Sequence, residues 1–470
     1  MRDPVGPATS QDSARPTRAF ESRIAGALVL LAVVWSGISV ATPGYLQHDE
    51  LEMPGFRSWG DFAGWTLALY RDFDLLFYRP TALVLMRLYA NARGVFLIPH
   101  LAQALLHGAA CVALYAAVRS FGRPRANAWW AAALFAALPL ASFAVGWVAA
   151  VPELLFGLFL LVWIAAANRW VAGGSWPSLA ATALAFAFSL TCKDTAIVGA
   201  GVAALLYAAF WRHRDRSRGR AALAVVLALG AAYLALRAPF VLHQLGDPTS
   251  HPAYEFSAGR IPDRLLRYFA FPFGIAHFDV TGRPAGHLVV PALWHASLVA
   301  ALAARLGARA AALYLIGFFL PLAPVLAIGP ISAHYLYASG AVVAVALSEI
   351  LATIRTTGAR AVAAALWVVP LLVHALAIEV AFYRTGRCQT RLLTSFQSLV
   401  EAGESGPDGG LRIFPDPGSP EWVLRKAISH DAIEVGGRAI PVAIAGRGEA
   451  SDSRFDSSCL LRTSRSGSPP

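Results

Sequence analysis

The stretch IAGALVLLAVVWSGISV, residues 24–40, carries no charged side chain and is long enough to cross a bilayer as a helix. Blocks of about 17–25 apolar residues of this kind recur along the chain. Of the 470 residues, 57% are hydrophobic and only 14% are charged, whereas soluble domains carry about 25% charged residues. The pattern therefore predicts an all-α polytopic membrane protein.

Arginines divide the apolar segments into two sets. They precede the first segment and follow every second one, as expected for short cytoplasmic loops. The N-terminal tail, residues 1–23, is therefore predicted to be cytoplasmic, and the expected location is the inner membrane of a bacterium. The net charge of +11 follows from this topology, so no nucleic-acid partner is predicted. The eleven predicted spans are residues 24–41, 95–118, 127–146, 153–168, 178–192, 195–211, 221–241, 288–304, 310–328, 337–354 and 361–382.

Beyond the spans, the sequence predicts two outer loops and a C-terminal appendage. The transmembrane domain, residues 24–382, is expected to carry long outer loops at residues 42–94 and 242–287. Residues 383–470 contain Gly, Ser, Asp and Pro clusters and short β-like runs. They predict a small extracytoplasmic α/β appendage that is disordered at its end. Its cysteines, Cys388 and Cys459, are either a disulfide or two unrelated thiols.

Ionisable residues are costly in lipid and usually functional there, and here they are concentrated at the predicted outer ends of the spans. Each has a plainer interpretation: a solvated acidic loop, an arginine reaching the headgroups, or histidines that hydrogen-bond between helices. The remaining plainer interpretations are a carboxylate at a helix start that the helix dipole favours, for Glu153, and a local ion pair, for Lys193 and Asp194. The residues are Asp49, Glu50, Arg79, His100, His107, Glu153, Lys193 and Asp194.

Taken together, these residues supply carboxylates beside cations. That mixture suits a reaction in which a base activates a hydroxyl while cations neutralise a phosphate leaving group. Lys193 is one of only two lysines in the chain and lies at the end of an apolar segment. If the predicted topology brings these residues into one cavity, lipid-linked sugar phosphates would offer such a leaving group.

Six short motifs reinforce this interpretation, because they occur in the order typical of one family. The chain resembles the membrane glycosyltransferases of the C superfamily (GT-C), in particular O-mannosyltransferase-like proteins that carry tetratricopeptide repeats. The similarity covers roughly residues 24–355. The motifs are Asp49-Glu50, Tyr78-Arg79-Pro80-Thr81, His100-Leu101-Ala102-Gln103 with His107, Ala144-Val145-Gly146-Trp147 with Glu153-Leu154-Leu155, Cys192-Lys193-Asp194-Thr195-Ala196, and His334-Tyr335-Leu336-Tyr337.

Three departures from the family pattern bear on the substrate. The family's His-Pro-x-His-x-Glu turn reads LPLASF at residues 138–143, without its histidines and its acid. His334 stands where the family has arginine, and the repeats are replaced by the short C-terminal segment. The acidic pair and the basic residues are retained, so these departures concern the sugar, the acceptor and any metal.

The resemblance implies an inverting enzyme that moves a sugar from a polyprenyl-phosphate donor to a hydroxyl of a protein, lipid or glycan acceptor at the outer face. It makes Asp49 the general base, with Glu50 beside it and Glu153 positioning donor or acceptor. Asp194 would orient Lys193. No cofactor is implied apart from a divalent cation that Asp49 and Glu153 could hold. The donor-binding candidates are Arg79, Lys193, Asp194, His334, Tyr335, Tyr337, His100 and His107.

The alternative is a non-enzymatic membrane protein: a lipid-linked-sugar flippase, a transporter or an assembly scaffold. A transporter is expected to show paired inverted halves and broken helices near the midplane, and the sequence displays no such symmetry. It also contains no Walker A loop. Convergence of Asp49, Arg79, Glu153 and Lys193 would favour the enzyme, whereas side chains pointing separately into solvent would favour the plainer interpretations.

Overall fold

The computed structural model is mainly helical, with one small sheet near the C-terminus. It confirms the prediction of an all-α polytopic membrane protein with a small C-terminal α/β appendage. The residues that the structure describes are 18–44, 60, 63–64, 79–91, 96–246, 257–274, 288–327, 331–403, 410–428, 432–435, 438–445, 451 and 453–463.

The α-helices are labelled here in chain order. Short 3₁₀ segments at Val148–Ala150, Asp194–Val198 and Ala333–Leu336 lead into three of them. The helices are α1 Arg18–Trp35, α2 Gly37–Val40, α3 Pro80–Asn91, α4 Leu97–Ser120, α5 Arg125–Ala137, α6 Pro139–Gly146, α7 Val151–Gly173, α8 Trp176–Cys192, α9 Gly199–Leu206, α10 Arg212–Arg214, α11 Arg216–Gly246, α12 Ile261–Ala270, α13 Val289–Leu306, α14 Ala308–Phe319, α15 Tyr337–Thr353, α16 Thr357–Glu401 and α17 Glu421–Ala427.

Each of the predicted spans coincides with a helix, or with a broken helix, in this list. In the described part of the chain, eight helical segments are long and apolar enough to cross a membrane, and a ninth is added if the pair α5–α6 counts as one span. The two predicted spans that this count leaves out correspond to the interrupted pair α1–α2 and to the 17-residue helix α8. Hydropathy alone therefore located the helices, because lipid requires apolar surface and internally satisfied backbone groups.

The pair α5–α6 is bent by 51°. The break follows from proline chemistry: Leu138 adopts an extended conformation, with φ −78° and ψ 147°, and Pro139 then starts a new helix at its first position. All eight residues of α6 are buried. This short helix packs against α16 and against the 3₁₀ segment that precedes α15, so it forms part of the bundle interior.

Helix α16 differs most from the sequence-based boundaries. The transmembrane domain was predicted to end at residue 382, but this 45-residue helix continues to Glu401 without a break. Its polar continuation keeps an apolar stripe, in which Cys388, Leu392 and Phe396 are buried. At 1.5 Å per residue it is about 68 Å long, roughly twice the thickness of a bilayer's hydrocarbon core. The change in composition marks the exit from the apolar part of the helix rather than its end.

The C-terminal sheet packs against this exposed end of α16. Its strands are β1 Leu411–Pro415, β2 Ala432–Val435, β3 Arg438–Ile444, β4 Ser453–Phe455 and β5 Leu461–Thr463, in the order β2-β3-β1-β4-β5. Strand β1 is central and parallel to both neighbours, with Leu411 opposite Val442 and Ile413 opposite Ser453. The two outer pairs are antiparallel. Leu392 and Phe396 of α16 share the sheet's core, so the helix is part of the appendage.

A disulfide between Cys388 and Cys459 fastens the sheet to the helix. Cys459 lies in the turn between β4 and β5, where its backbone adopts φ 66°. The Asp456 carboxylate accepts hydrogen bonds from the backbone amides of Ser458 and Leu460 within that turn. The sequence left the pairing of these two cysteines open, and the structure shows them as a disulfide. Disulfides persist in oxidising compartments.

Candidate functional site

Three helix ends bring together the residues of the central cluster. Glu153 lies in the first turn of α7, directly after Pro152, and Lys193 directly follows the last residue of α8. His334 belongs to the 3₁₀ segment before α15. Because α7 and α8 are consecutive antiparallel helices, the start of one and the end of the other lie at the same end of the bundle. Pro152 and three 3₁₀ turns lie at these junctions.

Glu153 is the centre of this cluster. Its Oε1 atom forms an ion pair with Lys193 Nζ and lies 3.0 Å from His334 Nε2. The residues are 4%, 3% and 7% exposed, so the ion pair is shielded from water. Breaking such a buried pair leaves an uncompensated charge, which costs about 3–5 kcal/mol. The three residues are therefore expected to act as one unit.

Aromatic rings and a hydroxyl complete the surroundings of the cluster. Lys193 Nζ lies 4.5 Å from the ring centroid of Tyr335, a cation–π contact. The His334 ring meets Trp147 edge-on at 4.6 Å, and its Nδ1 atom is hydrogen-bonded to the Ser332 hydroxyl. This bond through Nδ1 orients the imidazole so that Nε2 faces Glu153.

A second polar group surrounds Asp194, the residue after Lys193. Its carboxylate lies 3.5 Å from Arg79 Nε and 3.4 Å from Arg237 Nη2, and it accepts a 2.8 Å hydrogen bond from the Tyr233 hydroxyl. Asp194 is more exposed than Glu153, since its side chain is 29% accessible. One carboxylate thus holds two guanidinium groups beside the Lys193 cluster, one from α11 and one from the residue that precedes α3.

The sequence predicted that Asp194 orients Lys193, and the ion pairs in the structure contradict this prediction. Lys193 pairs with Glu153, and Asp194 pairs with the two arginines. The cause is the backbone of Lys193, which is extended at φ −158° and ψ 137°. In an extended segment successive side chains point to opposite sides, so neighbours in sequence serve different partners.

His107 and Tyr337 contact each other in the bundle interior. His107 Nδ1 is hydrogen-bonded to the Tyr337 hydroxyl at 2.8 Å, and both residues are buried between α4 and α15. His100 Nε2 donates to the Gly44 carbonyl oxygen at 3.0 Å. These hydrogen bonds agree with the plainer interpretation of the two histidines, and donor binding by His100, His107 and Tyr337 stays a prediction.

The acidic pair Asp49–Glu50, the predicted base and its neighbour, lies outside the described residues, as does Tyr78. Arg79, the next residue, is described and belongs to the Asp194 group. Within the described ranges no three His, Cys, Asp or Glu side chains are grouped as metal ligands. A metal cation between Asp49 and Glu153 therefore stays a prediction. Glu153 would have to bind it in addition to the Lys193 ammonium.

Sequence reasoning missed Arg237 and Tyr233. Both lie in the segment predicted as a span at residues 221–241, and they are four positions apart on α11, so they share one face. Arg237 is the only charged residue in that segment. This single charge was the sign in the sequence that Arg237 belongs to a polar cluster, because an arginine within an apolar helix requires a partner.

Comparisons with known proteins are limited to distant structural similarity. No protein-family model and no curated protein matches the chain. The structure of the Saccharomyces cerevisiae protein O-mannosyltransferase Pmt1–Pmt2 complex bound to the sugar donor is 16% identical with a TM-score of 0.34. That match covers 51% of this chain and 36% of the other, so the chain spans only about a third of it.

The second structure is ArnT from Cupriavidus metallidurans bound to undecaprenyl phosphate. It is 15% identical with a TM-score of 0.44, over 90% of this chain and 86% of that one. Both are GT-C glycosyltransferases, the superfamily that the six motifs suggest. Since both TM-scores lie below 0.5, the function of this chain has to be inferred from its own side chains.

Proposed function

We propose that this protein is an integral-membrane glycosyltransferase that moves a sugar from a polyprenyl-phosphate donor to an acceptor hydroxyl. The observation that carries the proposal is the adjacency of two polar groups at one end of the bundle. Lys193 with Glu153 forms one, and Arg79 with Arg237 on Asp194 forms the other. Two cations at helix ends, Arg79 and Lys193, with Arg237 inside α11, suit an anion that is itself attached to lipid.

The cations fit the leaving group of such a reaction. The acceptor oxygen forms a bond to the anomeric carbon of the sugar, and the bond from that carbon to the phosphate oxygen breaks. The acceptor proton passes to a carboxylate, and polyprenyl phosphate leaves with an additional negative charge. Guanidinium groups suit it because they bind phosphate oxygens in pairs, and Lys193 adds a point charge. A single displacement of this kind inverts the anomeric centre.

Each residue then has a distinct role. Arg79, Arg237 and Lys193 bind the phosphate and stabilise the charge that develops on it. Glu153 and Asp194 hold these cations in place before the donor arrives. Asp49 is the general base in this proposal, as the family resemblance implies, whereas Glu153 is paired with Lys193 and His334.

The bent span α5–α6 is the observation that favours the alternative, a flippase or transporter. Broken helices frequently line transport paths. However, residues 138–146 around the break contain no ionisable side chain. The charged groups of the two clusters lie on other segments, so the break does not supply a binding site for a charged substrate. The enzyme remains the better-supported function.

The proposal is tested by incubating the purified full-length protein with radiolabelled undecaprenyl phosphate-mannose or -glucose and a membrane extract. Label transferred to a product that is not the donor lipid supports the enzyme. Movement of intact labelled lipid across a vesicle, without transfer, supports the flippase instead. Asp49→Asn should abolish transfer while leaving expression and folding unchanged, and a fully active Asp49→Asn protein would exclude Asp49 as the base.

Lys193 provides the second arm of this test. Lys193→Ala should weaken donor binding at least about 10-fold, the equivalent of 1.4 kcal/mol. Lys426→Ala is the matched control, since Lys426 is the only other lysine and lies in the C-terminal α17. Equal donor affinity in the two variants would contradict the phosphate-binding role.

A further inference from the structure

A dense group of arginines lies at the end of the bundle opposite to the Glu153 cluster. Five of the nine residues at positions 212–220 are arginine. Helix α7 begins at the cluster and runs to this end, where a Cβ atom added to Gly174, the residue that follows α7, would lie 2.8 Å from Arg218 Cζ. These arginines are therefore separate from the proposed phosphate-binding cations at the other end.

Hydrogen bonds join this segment to two neighbouring junctions. Arg214 Nη1 donates to the carbonyl oxygen of Ser120, the last residue of α4, at 3.3 Å. Arg309 Nη2, in the first turn of α14, donates to the Ala209 carbonyl oxygen at 2.8 Å. Ala209 belongs to a π-helical turn, Tyr207–Trp211, which joins α9 to α10. Three basic junctions of the chain therefore meet at one place.

Two further arginines of the group converge on a hydroxyl. Arg216 and Arg220 are four positions apart on α11, so they share one face of that helix. Their guanidinium groups lie against the hydroxyl of Tyr207, the first residue of the π-helical turn. Turns of this kind are rare and frequently occur at functional sites. The contact orients both arginines, although their side chains are exposed.

The group has little counter-charge of its own. Its one carboxylate, Asp215, lies 3.4 Å from Arg218 Nε and also accepts the Arg218 amide at 2.9 Å. The rule for cytoplasmic loops explains the number of arginines, but it does not require that neutral acceptors orient them. Guanidinium groups held in this way keep a full charge and N–H donors that match phosphate. Within the described part of the chain no ion pair is formed by the four exposed members, called here the arginine surface: Arg212, Arg214, Arg216 and Arg220.

We infer that the arginine surface binds the headgroup phosphate of an anionic phospholipid. The apolar spans predicted at residues 195–211 and 221–241 adjoin it directly, which places it at the depth of the headgroups rather than in bulk water. Basic pockets between transmembrane helices suit such headgroups. Phe210 and Leu227 are exposed apolar residues beside it, and they offer a surface to the acyl chains. The inference does not depend on the proposed function, because the Glu153 cluster lies at the other end of the bundle.

The test titrates the purified full-length protein, in a neutral detergent, with phosphatidylglycerol or phosphatidylcholine and counts bound lipid by native mass spectrometry. Both lipids contain a phosphate, but the choline group of the second cancels its charge. We expect the wild-type protein to bind phosphatidylglycerol at least about 10-fold more tightly, because each arginine at an anionic headgroup adds to the binding free energy. Arg216→Gln with Arg220→Gln should reduce this preference to about twofold or less.

Arg384→Gln with Arg387→Gln is the matched control, since it removes the same charge from two exposed arginines of α16. Its preference for phosphatidylglycerol should equal that of the wild type. Arg212→Gln decides the matter if the Arg216 and Arg220 double variant does not fold. The Arg212 side chain is exposed and bonds only to the imidazole of its neighbour His213 among the described residues, so the variant should fold normally and lose about threefold in phosphatidylglycerol affinity.

Three results would overturn the inference. Equal binding of the two lipids by the wild-type protein would show that the arginine surface does not select an anionic headgroup. An equal loss of preference in the α16 control would reduce the effect to net charge. Inorganic phosphate that displaces phosphatidylglycerol at an equal concentration would assign the surface to a soluble anion instead of a lipid.

Discussion

Glu153 and Glu379 are two buried carboxylates in membrane helices, 4% and 1% exposed, yet their surroundings differ in kind. Glu153 is contacted by an ammonium and an imidazole. Glu379 of α16 is contacted by the amide and hydroxyl of Ser39, which join α2 to α16. Burial alone therefore does not mark a catalytic group. Its basic partners are what single out Glu153 as the candidate for a role in the proposed site.

Glu153→Gln should produce the largest effect. It leaves the Lys193 ammonium buried without its counter-charge, at a cost of about 3–5 kcal/mol in the free energy of unfolding. We expect a clear fall in the thermal unfolding midpoint in detergent and a loss of sugar transfer of at least about 100-fold. Glu349→Gln is the control, because Glu349 pairs with Arg123, which lies just beyond the far end of α4. A normal midpoint for Glu153→Gln would remove the distinction between the two carboxylates.

The double variant Glu153→Gln with Lys193→Met should sharpen the comparison. Removing both charges should recover most of the lost stability, since an apolar replacement of a buried ion pair is often neutral. Transfer should not recover, because the phosphate loses its lysine. The unfolding midpoints of the single and double variants give the coupling energy, for which we expect about 2–3 kcal/mol. Additive effects would mean that the two residues do not act as a unit.

Glu379→Gln should have the smallest effect. Glutamine keeps an oxygen that accepts the Ser39 hydrogen bonds, so the expected loss of stability is about 1–2 kcal/mol. Sugar transfer should stay within about twofold of wild type, as should that of Glu401→Gln, an exposed control on the same helix. A folded but inactive Glu379→Gln protein would show that hydroxyl partners also support catalytic carboxylates.

Much of the fold could be predicted from the sequence, because lipid imposes a simple rule on helices. The same rule identified Glu153 and Lys193 as residues of interest. Their mutual pairing could not be predicted, since they lie 40 positions apart and meet only when α7 packs on α8. Asp194, the nearer partner in sequence, was the natural choice, and a single extended residue directed it elsewhere.

Two other differences have separate causes. Arg237 was overlooked because a span was judged by its average hydropathy, which one arginine scarcely changes. The continuation of α16 past residue 382 was missed because a change from apolar to polar composition resembles a domain boundary. A helix can cross such a boundary when one stripe stays apolar, as Leu392 and Phe396 do against the sheet.

Because α16 is continuous, it also fixes the rotation of the C-terminal sheet about the helix axis, relative to the apolar part of the helix. An α-helix turns by about 100° and rises 1.5 Å with each residue, so inserting one residue between the apolar part of α16 and Gly386 would rotate the whole sheet by that angle. A flexible linker would absorb such an insertion. Here it would turn Gly386 and Thr390 away from residues 42–44, which they contact. The length of this stretch is thus as constrained as its composition.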